Sequence, residues 1–310
     1  MSQKVTVIGG SGFLGSHTAD ALTDAGYEVT IFDQTESKWS RPTQRMMVGD
    51  VLDSEAVRGA VEGADFVYHY AGIADIGAAQ VDPYRTSQIN VSGTINVLEA
   101  ARQAGCKRFI FASTVYVYSG HGGFYRASKQ AAESFIQTYS QEFGLDYTIL
   151  RYGTLYGRRA DHHNRIHRML REAARTGAIK YPGSGEAVRE FIHVRDAAML
   201  SVRILESEFA NRHLVLTGQE KYSVKDLLSI IKEIMQGKIE VSWANEEPVG
   251  HYQLTPYSFM PEIGHKMVPS DFVDLGQGLL DCLTEILEED SSAETLSIDA
   301  KLSQPDRTSG

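Results

Sequence analysis

Short apolar runs alternate with longer amphipathic stretches over the first half of the chain. The runs are rich in Val, Ile and Phe and too short for helices, so each predicts a buried strand. The stretches repeat apolar residues at three- and four-residue intervals, which predicts helices. Strands are predicted at 4–10, 27–33, 44–50, 64–72, 106–114 and 145–153, and helices at 12–26, 54–63, 84–105 and 125–144. This alternation predicts an α/β fold, a doubly wound parallel sheet covered on both faces.

The pattern loosens after Gly157, where short strands such as 213–218 mix with helices such as 223–235 and 275–289. This mixture predicts a smaller α+β lobe on the C-terminal side of the sheet. The last stretch is polar and lacks periodicity, which is typical of a disordered tail. We therefore expect a first domain at 1–156, a lobe at 157–290 with part of 188–205 returning to the first domain, and a tail at 291–310.

Composition and charge narrow the classes of partner. Hydrophobic residues make up 42% of the 310-residue chain, and the formal charge is −10. An acidic surface of this kind argues against nucleic acid and against anionic membranes as partners. The two cysteines, Cys106 and Cys282, predict neither a disulfide framework nor a zinc site, so we expect a reducing cytoplasm. His163 and His167 lack a carboxylate at matching spacing, and we expect no metal.

A glycine-rich turn follows the first predicted strand. Gly9, Gly12 and Gly15 have Gly-x-x-Gly-x-x-Gly spacing, and a helix begins directly after them. Glycines let the backbone approach a phosphate closely, and a helix N-terminus presents free N–H groups and a positive dipole end. This context predicts the dinucleotide turn of a Rossmann-type fold, with a plain strand–turn–helix corner as the alternative.

An acidic residue ends the second predicted strand. Asp33 stands 18 positions after Gly15 (33 − 15 = 18), where a carboxylate can accept hydrogen bonds from both hydroxyls of an adenosine ribose. The same carboxylate would repel a 2′-phosphate, so NAD is favoured over NADP. Lys38, Arg41 and Arg45 follow closely and leave NADP open as an alternative.

Tyr125 and Lys129 lie one turn apart on the helix predicted at 125–144, and thus on one helical face. The pair is either an ordinary surface contact or a phenol and an ammonium that move a proton together. An ammonium beside a phenol stabilises the phenolate, and a positively charged nicotinamide would add to this effect. Together with the glycine turn and Asp33, the spacing favours a catalytic pair in which Tyr125 is the general base.

The glycine turn, the acidic strand end and the Tyr-x-x-x-Lys pair occur in one chain and in the expected order. In this the chain resembles the extended short-chain dehydrogenase/reductase superfamily, in particular the nucleotide-sugar epimerases and dehydratases, over about residues 4–290. The resemblance implies NAD as cofactor, a substrate-binding role for the lobe at 157–290, and Thr114 as a third catalytic residue. It also implies a homodimer in which helices at 84–103 and 126–143 pack against their copies.

The resemblance further assigns residues to the cofactor and to the substrate. "GDVLD", "YHYAG", "INVSGTINVLEA", "FASTVYVYSG" and "ILRYGTLYG" match segments that line the cofactor in the family. "GEAVREFIHVRDAA" matches a segment whose first arginine holds a substrate phosphate. The implied cofactor-binding residues are Gly9, Gly12, Phe13, Leu14, Gly15, Asp33, Asp50, Val51, Tyr70, Ala71, Gly72, Asn90, Ser113, Tyr125, Lys129, Tyr152, Gly153 and Thr154. The implied substrate-binding residues are Thr114, Arg189, Thr154 and His121.

Three departures from the family pattern concern the substrate. Only 11 positions separate Thr114 from Tyr125 (125 − 114 = 11), fewer than in sugar-nucleotide relatives, where this loop covers the sugar. Thr154 stands where many relatives have Asn, and 246–259 carries no second arginine. We therefore expect an open pocket with His121 at its mouth, closed from the second lobe near residues 162–165 and Arg189.

The most direct interpretation is an NAD-dependent epimerase that acts on a nucleotide sugar through a transient 4-keto intermediate, similar to UDP-sugar 4-epimerases. In dehydratase relatives an Asp-Glu pair follows the catalytic Thr, whereas this chain has Val115 and Tyr116 there. Three alternatives stay open: an NAD(P)-dependent reductase or dehydrogenase, a sugar-nucleotide dehydratase or decarboxylase, and a non-enzymatic NAD-sensing protein.

Overall fold

The computed structural model describes residues 2–219, 221–244 and 250–253. Its strands are β1 Lys4–Ile8, β2 Glu28–Asp33, β3 Arg45–Val48, β4 Phe66–His69, β5 Arg108–Thr114, β6 Tyr147–Tyr152, β7 Thr154–Tyr156, β8 Ala178–Pro182, β9 Val188–His193, β10 Arg212–Leu216, β11 Lys221–Ser223 and β12 Glu240–Ala244. Seven of them form one sheet in the order β10-β6-β5-β4-β1-β2-β3, and every pairing in it is parallel.

Helices cover both faces of this sheet. They are α1 Phe13–Asp24, α2 Ser54–Val61, α3 Ile76–Val81, α4 Pro83–Ser87, α5 Gly93–Gln103, α6 Gly123–Phe143, α7 Arg165–Thr176, α8 Val194–Arg203 and α9 Val224–Ile234. One face buries residues of α2, α5 and α6, such as Val57, Leu98 and Ile136. The other buries residues of α1 and α8, such as Leu22 and Ala197. The predicted doubly wound, Rossmann-type sheet is confirmed.

Side chains at the helix N-termini explain where several helices begin. The Asp53 carboxylate accepts hydrogen bonds from the first turn of α2, and Asn164 does the same for α7. Ser223 and Asp226 form a reciprocal capping box at the start of α9. These side chains satisfy N–H groups that have no partner within the helix, a contribution of about 1 kcal/mol each.

The helix predicted at 84–105 differs in detail from the structure. It runs from Pro83 to Gln103 but contains a π-helical turn at Gln88–Ser92 between α4 and α5. A π turn inserts one extra residue into a helix and redirects the side chains within it, here including Asn90. The short helix α3 was not expected from the sequence, because its six residues are too few to show a period.

The strand expected in the second lobe at 213–218 belongs to the large sheet, so its placement in the smaller lobe is wrong. β10 pairs in parallel with β6 and forms the sheet edge. A five-residue apolar strand carries no local signal for its partner, and the free edge of β6 determined where it packs. Helix α8 packs on α1.

The remaining strands form a three-stranded sheet and a two-stranded sheet. β9 pairs in parallel with β7 and antiparallel with β11, while β8 and β12 form a parallel pair. A third core cluster of α7, α9 and β8 includes Ile166, Leu228 and Ile179. The helix predicted at 275–289, Cys282 and the predicted tail at 291–310 lie outside the described residues. Across the described part of the chain, we find no helix with the length and apolarity needed to span a bilayer.

His69 at the end of β4 is fully buried between the rings of Phe109 and Phe111. Its Nε2 lies 3.0 Å from the Thr94 hydroxyl, and no described residue pairs with its Nδ1. Burial, with a smaller contribution from the Lys129 charge, lowers the pKa of His69 to about 3. The folded protein therefore holds this imidazole neutral.

This burial predicts an acid-sensitive fold. Between pH 6.5 and pH 3 the unfolded chain binds a proton at His69 that the folded chain excludes. The free energy of unfolding should therefore decrease by up to ~1.4 kcal/mol for each unit by which the pH is lowered. In urea titrations over pH 4–7, His69→Leu should reduce this slope by about one proton. His163→Leu, at an exposed position, is the control. Equal slopes in wild type and His69→Leu would refute the assignment.

Candidate active site

The turn after β1 packs against the turn after β4 without room for side chains. A Cβ on Gly9 would lie 2.4 Å from the backbone nitrogen of Ala71, and one on Gly15 only 2.2 Å from the carbonyl oxygen of Gly9. Gly9 also has a φ of +84°, which favours glycine. The first turn of α1 therefore begins directly behind this glycine turn, as the motif requires.

Asp33 at the end of β2 is held against this glycine turn. Its Oδ2 accepts a hydrogen bond of 3.0 Å from the Ser11 N–H, and the Ser11 hydroxyl donates to the Thr35 carbonyl at 2.8 Å. The carboxylate thus stands at the end of a pocket of about 290 Å³ that starts at the glycine turn. Arg41 is drawn away from this pocket, because its guanidinium pairs with Asp20 at 2.7 Å and with Asp24.

Seven of the residues expected to hold the cofactor line this pocket: Gly9, Gly12, Asp33, Val51, Tyr70, Ala71 and Gly72. Five lining residues were not expected from the sequence: Phe32, Gln34, Gly49, Ile73 and Ile89. Gly49 had a detectable signal, since it directly precedes Asp50 in the matched segment. Its role is steric, because a Cβ there would lie 2.7 Å from the Phe32 ring.

The pocket fits an elongated dinucleotide. Its glycine turn admits a phosphate group close to the backbone, and its acidic end offers acceptors for a ribose. Gly72 connects the pocket to the predicted catalytic residues, since a Cβ on Gly72 would lie 3.7 Å from the Lys129 ammonium. The close backbone at the glycine turn and the Asp33 carboxylate therefore fit the phosphate and adenosine ribose of NAD.

Asn90 in the π turn ties the cofactor pocket to the catalytic helix. Its Oδ1 accepts from the Ile73 N–H at 2.7 Å, and its Nδ2 donates to the Ile73 carbonyl and to the Ser128 hydroxyl, both at 2.9 Å. The side chain is buried. Asn90 therefore fixes the turn after β4 relative to α6. Asp50 and Val51 follow β3 at the edge of the sheet, and Val51 packs against Gly93 of α5.

The three predicted catalytic side chains come together at the carboxyl end of β5. Thr114 ends this strand, and its hydroxyl is hydrogen-bonded to the phenol of Tyr125. Lys129 lies one turn further along α6 and donates from Nζ to the Ala112 carbonyl at 2.8 Å. Its ammonium also stands over the Phe111 ring, 4.6 Å from the centroid. All three side chains are buried.

The charge states of this pair differ from the simplest expectation. Burial raises the pKa of Tyr125 to about 12, although its hydrogen bond with Thr114 opposes the shift. Burial also lowers the pKa of Lys129 to about 8, while Glu133 opposes that shift. The pKa of Tyr125 is thus raised and not lowered, because burial is the largest influence on it and the Lys129 ammonium is directed to the Ala112 carbonyl.

Ser113 is not directed to the cofactor pocket. Its hydroxyl donates to Glu133 Oε1 at 2.5 Å, and Glu133 in turn forms two hydrogen bonds with the Arg151 guanidinium, at 3.1 and 2.6 Å. Arg151 also contacts the Tyr118 hydroxyl and lies 2.8 Å from His213 Nδ1. Since side chains alternate along a strand, Thr114 and Ser113 face different surroundings.

The tyrosines predicted beside the cofactor direct their hydroxyl groups elsewhere. Tyr70 lines the pocket, but its hydroxyl contacts Thr18 at 3.2 Å and Tyr152 at 3.4 Å. The Tyr152 hydroxyl lies 2.6 Å from Ser201 on α8. Only ring or backbone atoms of Tyr70 can therefore face the pocket. Gly153, Phe13 and Leu14 are outside the pocket lining, with Gly153 packed against Thr217, Phe13 against His17 and Leu14 against the core.

An aromatic cluster next to Tyr125 was not expected from the sequence. The rings of Tyr116 and Tyr125 meet edge to face at 6.3 Å, and Tyr252 packs on Tyr116 at 4.7 Å. The Tyr252 hydroxyl bonds with Thr154, and the Arg189 guanidinium stands 4.2 Å from the Tyr252 ring centroid. No local sequence pattern predicts Tyr252 at this site, because it is distant in sequence from the residues it contacts.

The predicted substrate residues are thus only partly together. Thr114, Thr154 and Arg189 surround the aromatic cluster, whereas the His121 side chain is exposed. Among the described residues, the ligand atoms of Asp161, His162 and His163 lie within 4.8 Å of one another, all on exposed side chains. His167 is not part of that group. We assign no metal-binding role to this group or to His167.

Comparison with known proteins agrees with this geometry. A model of the NAD dependent epimerase/dehydratase family matches residues 5–217, which include the glycine turn, Thr114, Tyr125, Lys129 and Arg189. The chain belongs to this family. Membership confirms NAD as the predicted cofactor, and the family's members are enzymes.

Several family members are similar over most of their length. A putative UDP-glucose 4-epimerase from Methanocaldococcus jannaschii is 30% identical over 74% of this chain and 81% of its own. A UDP-N-acetyl-alpha-D-glucosaminuronate decarboxylase from Bacillus cytotoxicus is 26% identical over 78% of this chain and 83% of its own. The solved structure of a Thermus thermophilus UDP-glucose 4-epimerase in complex with NAD matches with a TM-score of 0.74 and 25% identity, covering 85% of this chain and 95% of that one.

The position of Asp33 predicts the cofactor preference quantitatively. NAD should bind at least ~10-fold more tightly than NADP, about 1.4 kcal/mol, because a 2′-phosphate would face this carboxylate while Arg41 is already paired. Asp33→Ala should narrow the difference in calorimetry. The exposed acidic Glu36 supplies the control, since Glu36→Ala changes the same charge without touching the pocket. Equal affinities in the wild type would contradict this role of Asp33.

Proposed function

We propose that this protein is an NAD-dependent epimerase that inverts a hydroxyl-bearing carbon of a nucleotide sugar, C4 as the first candidate, through a transient 4-keto intermediate. The observation that carries the proposal is the buried group of Thr114, Tyr125 and Lys129 beside a pocket that fits NAD. Hydroxyl oxidation needs a base at the oxygen and an acceptor at the carbon, and these two parts of the site adjoin each other.

Tyr125 is the group that moves the proton. Its phenol exchanges a proton with the sugar hydroxyl, and the Thr114 hydroxyl, already bonded to that phenol, orients the same oxygen. Bound NAD would supply reversible hydride transfer at the sugar carbon. Because burial keeps the phenol protonated at neutral pH, Tyr125 requires positive charge nearby before it can act as a base.

Lys129 supplies part of that charge. Its pKa of about 8 leaves the ammonium mostly protonated at pH 7, and Glu133 one turn away favours the charged form. The Ala112 carbonyl that now accepts its hydrogen bond belongs to β5, two residues before Thr114. A small rotation of this flexible side chain would bring the ammonium to a ribose hydroxyl or to the phenolate.

Arg189 supports an anionic substrate. Its side chain is only 8% exposed, yet among the described residues no carboxylate lies within ion-pairing distance of it. Its contacts are the carbonyl of Val188 at 2.9 Å and the face of Tyr252. A buried cation without a counter-ion is costly, and a phosphate of the substrate would remove that cost.

The alternatives fit the site less well. Val115 is buried and Tyr116 is bonded to His251, so the two positions that carry an acid pair in dehydratase relatives offer no carboxylate. The decarboxylase among the relatives keeps that reaction as a second candidate. A protein that only senses NAD would not require the buried Tyr125–Lys129 pair, whose burial costs stability.

The proposal is tested by the cofactor balance. Substrate is first identified by thermal-shift screening of nucleotide sugars in the presence of NAD. Product should then form with catalytic NAD, and absorbance of reduced nicotinamide should not rise in proportion to product. Tyr125→Phe should bind NAD normally but lose at least ~100-fold in rate, the usual scale for removing a general base.

Tyr27→Phe is the matched control, because this tyrosine precedes the amino end of β2, at the opposite edge of the sheet. NADH formed in a one-to-one ratio with product would make the protein a dehydrogenase. Full activity of Tyr125→Phe would exclude Tyr125 from the chemistry.

We further propose that the protein is a homodimer formed by the faces of α4–α5 and α6. Tyr84, Phe124, Phe135 and Phe143 are apolar residues of these helices that stand exposed in the single chain. Exposed apolar residues spread along two neighbouring helices are typical of an interface with a second copy, and a two-fold axis would pair this face with itself.

The dimer predicts the mass in solution. Light scattering at micromolar concentration should give twice the chain mass of 34.3 kDa. Phe135→Glu should shift the protein towards monomer, because a charge would be buried at the interface. Ile234→Glu, at an exposed apolar site on α9, should leave the mass unchanged. A monomeric wild type would overturn the assignment.

We also propose that residues 1–156 form the NAD-binding domain and residues 157–290 the substrate lobe. Cysteine usage supports a cytoplasmic location. Cys106 is buried as a free thiol whose pKa burial raises to about 12, so it is unreactive in the folded protein.

A further inference from the structure

The segment 250–253 crosses the short connection between Thr114 and Tyr125. The Gly122 N–H donates to the Gly250 carbonyl at 3.0 Å, and at the other end the Val188 N–H donates to the Gln253 carbonyl at 2.8 Å. Four residues are thus fastened both to the turn before α6 and to the strand that carries Arg189. Residues 250–253 therefore lie over the Thr114–Tyr125 connection, which is itself too short to cover the site.

His251 of this segment contacts the connection directly. Its Nδ1 lies 2.7 Å from the Tyr116 hydroxyl, and the two rings meet edge to face at 6.2 Å. Burial first, and then the charges of Arg165 and Arg189, lower the pKa of His251 to about 4. The imidazole is therefore neutral at physiological pH and makes this bond without a charge of its own.

Tyr116 connects His251 with the Tyr125 phenol. Its N–H donates to Thr114 Oγ1 at 3.2 Å, and its ring rests edge to face against Tyr125. Tyr252 packs on the opposite side of the cluster and carries Arg189 over its own ring. A continuous row of contacts therefore runs from Arg189 through Tyr252 and Tyr116 to Tyr125.

We propose that His251 is a positioning residue that holds Tyr116, and through it the Tyr125 phenol, in the place required for proton transfer. The role follows from the short Thr114–Tyr125 connection, which has no other described side chain bonded to the Tyr116 hydroxyl. A shift of the phenol by about 1 Å is enough to cost ~100-fold in rate, so the restraint bears on turnover more than on binding. The predicted effect on turnover rests on the proposed epimerase activity.

The kinetic test compares three variants. His251→Ala should lower kcat at least ~10-fold while KM and NAD affinity change less than ~3-fold, because only the phenol is displaced. His251→Asn should recover kcat to within ~3-fold of wild type, since the amide oxygen can occupy the place of Nδ1. His251→Ala combined with Tyr116→Phe should lose no more than the more damaged single variant. His167→Ala, away from the cluster, controls for loss of an imidazole.

A second measurement does not depend on any substrate. In protein labelled with ¹³Cζ-tyrosine, the Tyr125 resonance is identified by its loss in Tyr125→Phe. It should shift in His251→Ala and return in His251→Asn. If no nucleotide sugar is turned over, the proposed function fails while this result still stands. An unmoved Tyr125 resonance, an Asn variant as impaired as Ala, or additive losses in the double variant would overturn the positioning role.

Discussion

Burial of the Lys129 ammonium is the constraint on which the active-site side of this molecule depends. A cation inside a protein needs compensation, and Glu133 one turn away on α6 provides the nearest negative charge. Glu133 is itself buried and therefore needs Arg151 of β6, which binds it through two hydrogen bonds. Because each charge requires the next, α6 is locked in register with β5 and β6. The face of α6 that carries Lys129 is therefore held against the end of β5.

Arg189 is also a buried cation, but the compensation of its charge differs from that of Lys129. Its guanidinium is as buried as the Lys129 ammonium, but among the described residues it rests on an aromatic ring and a carbonyl instead of a carboxylate. The charges around α6 are balanced by partners within the chain, so these interactions stabilise the fold. Among the described residues no carboxylate pairs with Arg189, which supports its proposed role in binding a substrate phosphate. The aromatic cluster lies between these two regions and joins them through Tyr116 and Tyr252.

Local sequence patterns were sufficient for the parts of the site built from neighbouring residues. Gly9, Gly12 and Gly15 share one turn, Asp33 ends the adjacent strand, and Tyr125 and Lys129 share one helical face. Each of these follows from the geometry of a single strand–helix unit. The family resemblance placed Ser113 beside the cofactor, whereas its hydroxyl donates to the buried Glu133. Local patterns misplaced β10, whose partner strand is distant in sequence.

The sequence by itself determined the parallel α/β sheet and the glycine turn after β1, since periodicity and spacing encode short-range geometry. Only the tertiary structure decided the charge states of Tyr125 and Lys129, because desolvation depends on everything packed around a group and not on its neighbours in the chain. Likewise His251 and Tyr252 reach Tyr116 across more than 130 residues of chain. No local pattern encodes a contact of that kind, because it forms only when distant parts of the chain pack together in the folded protein.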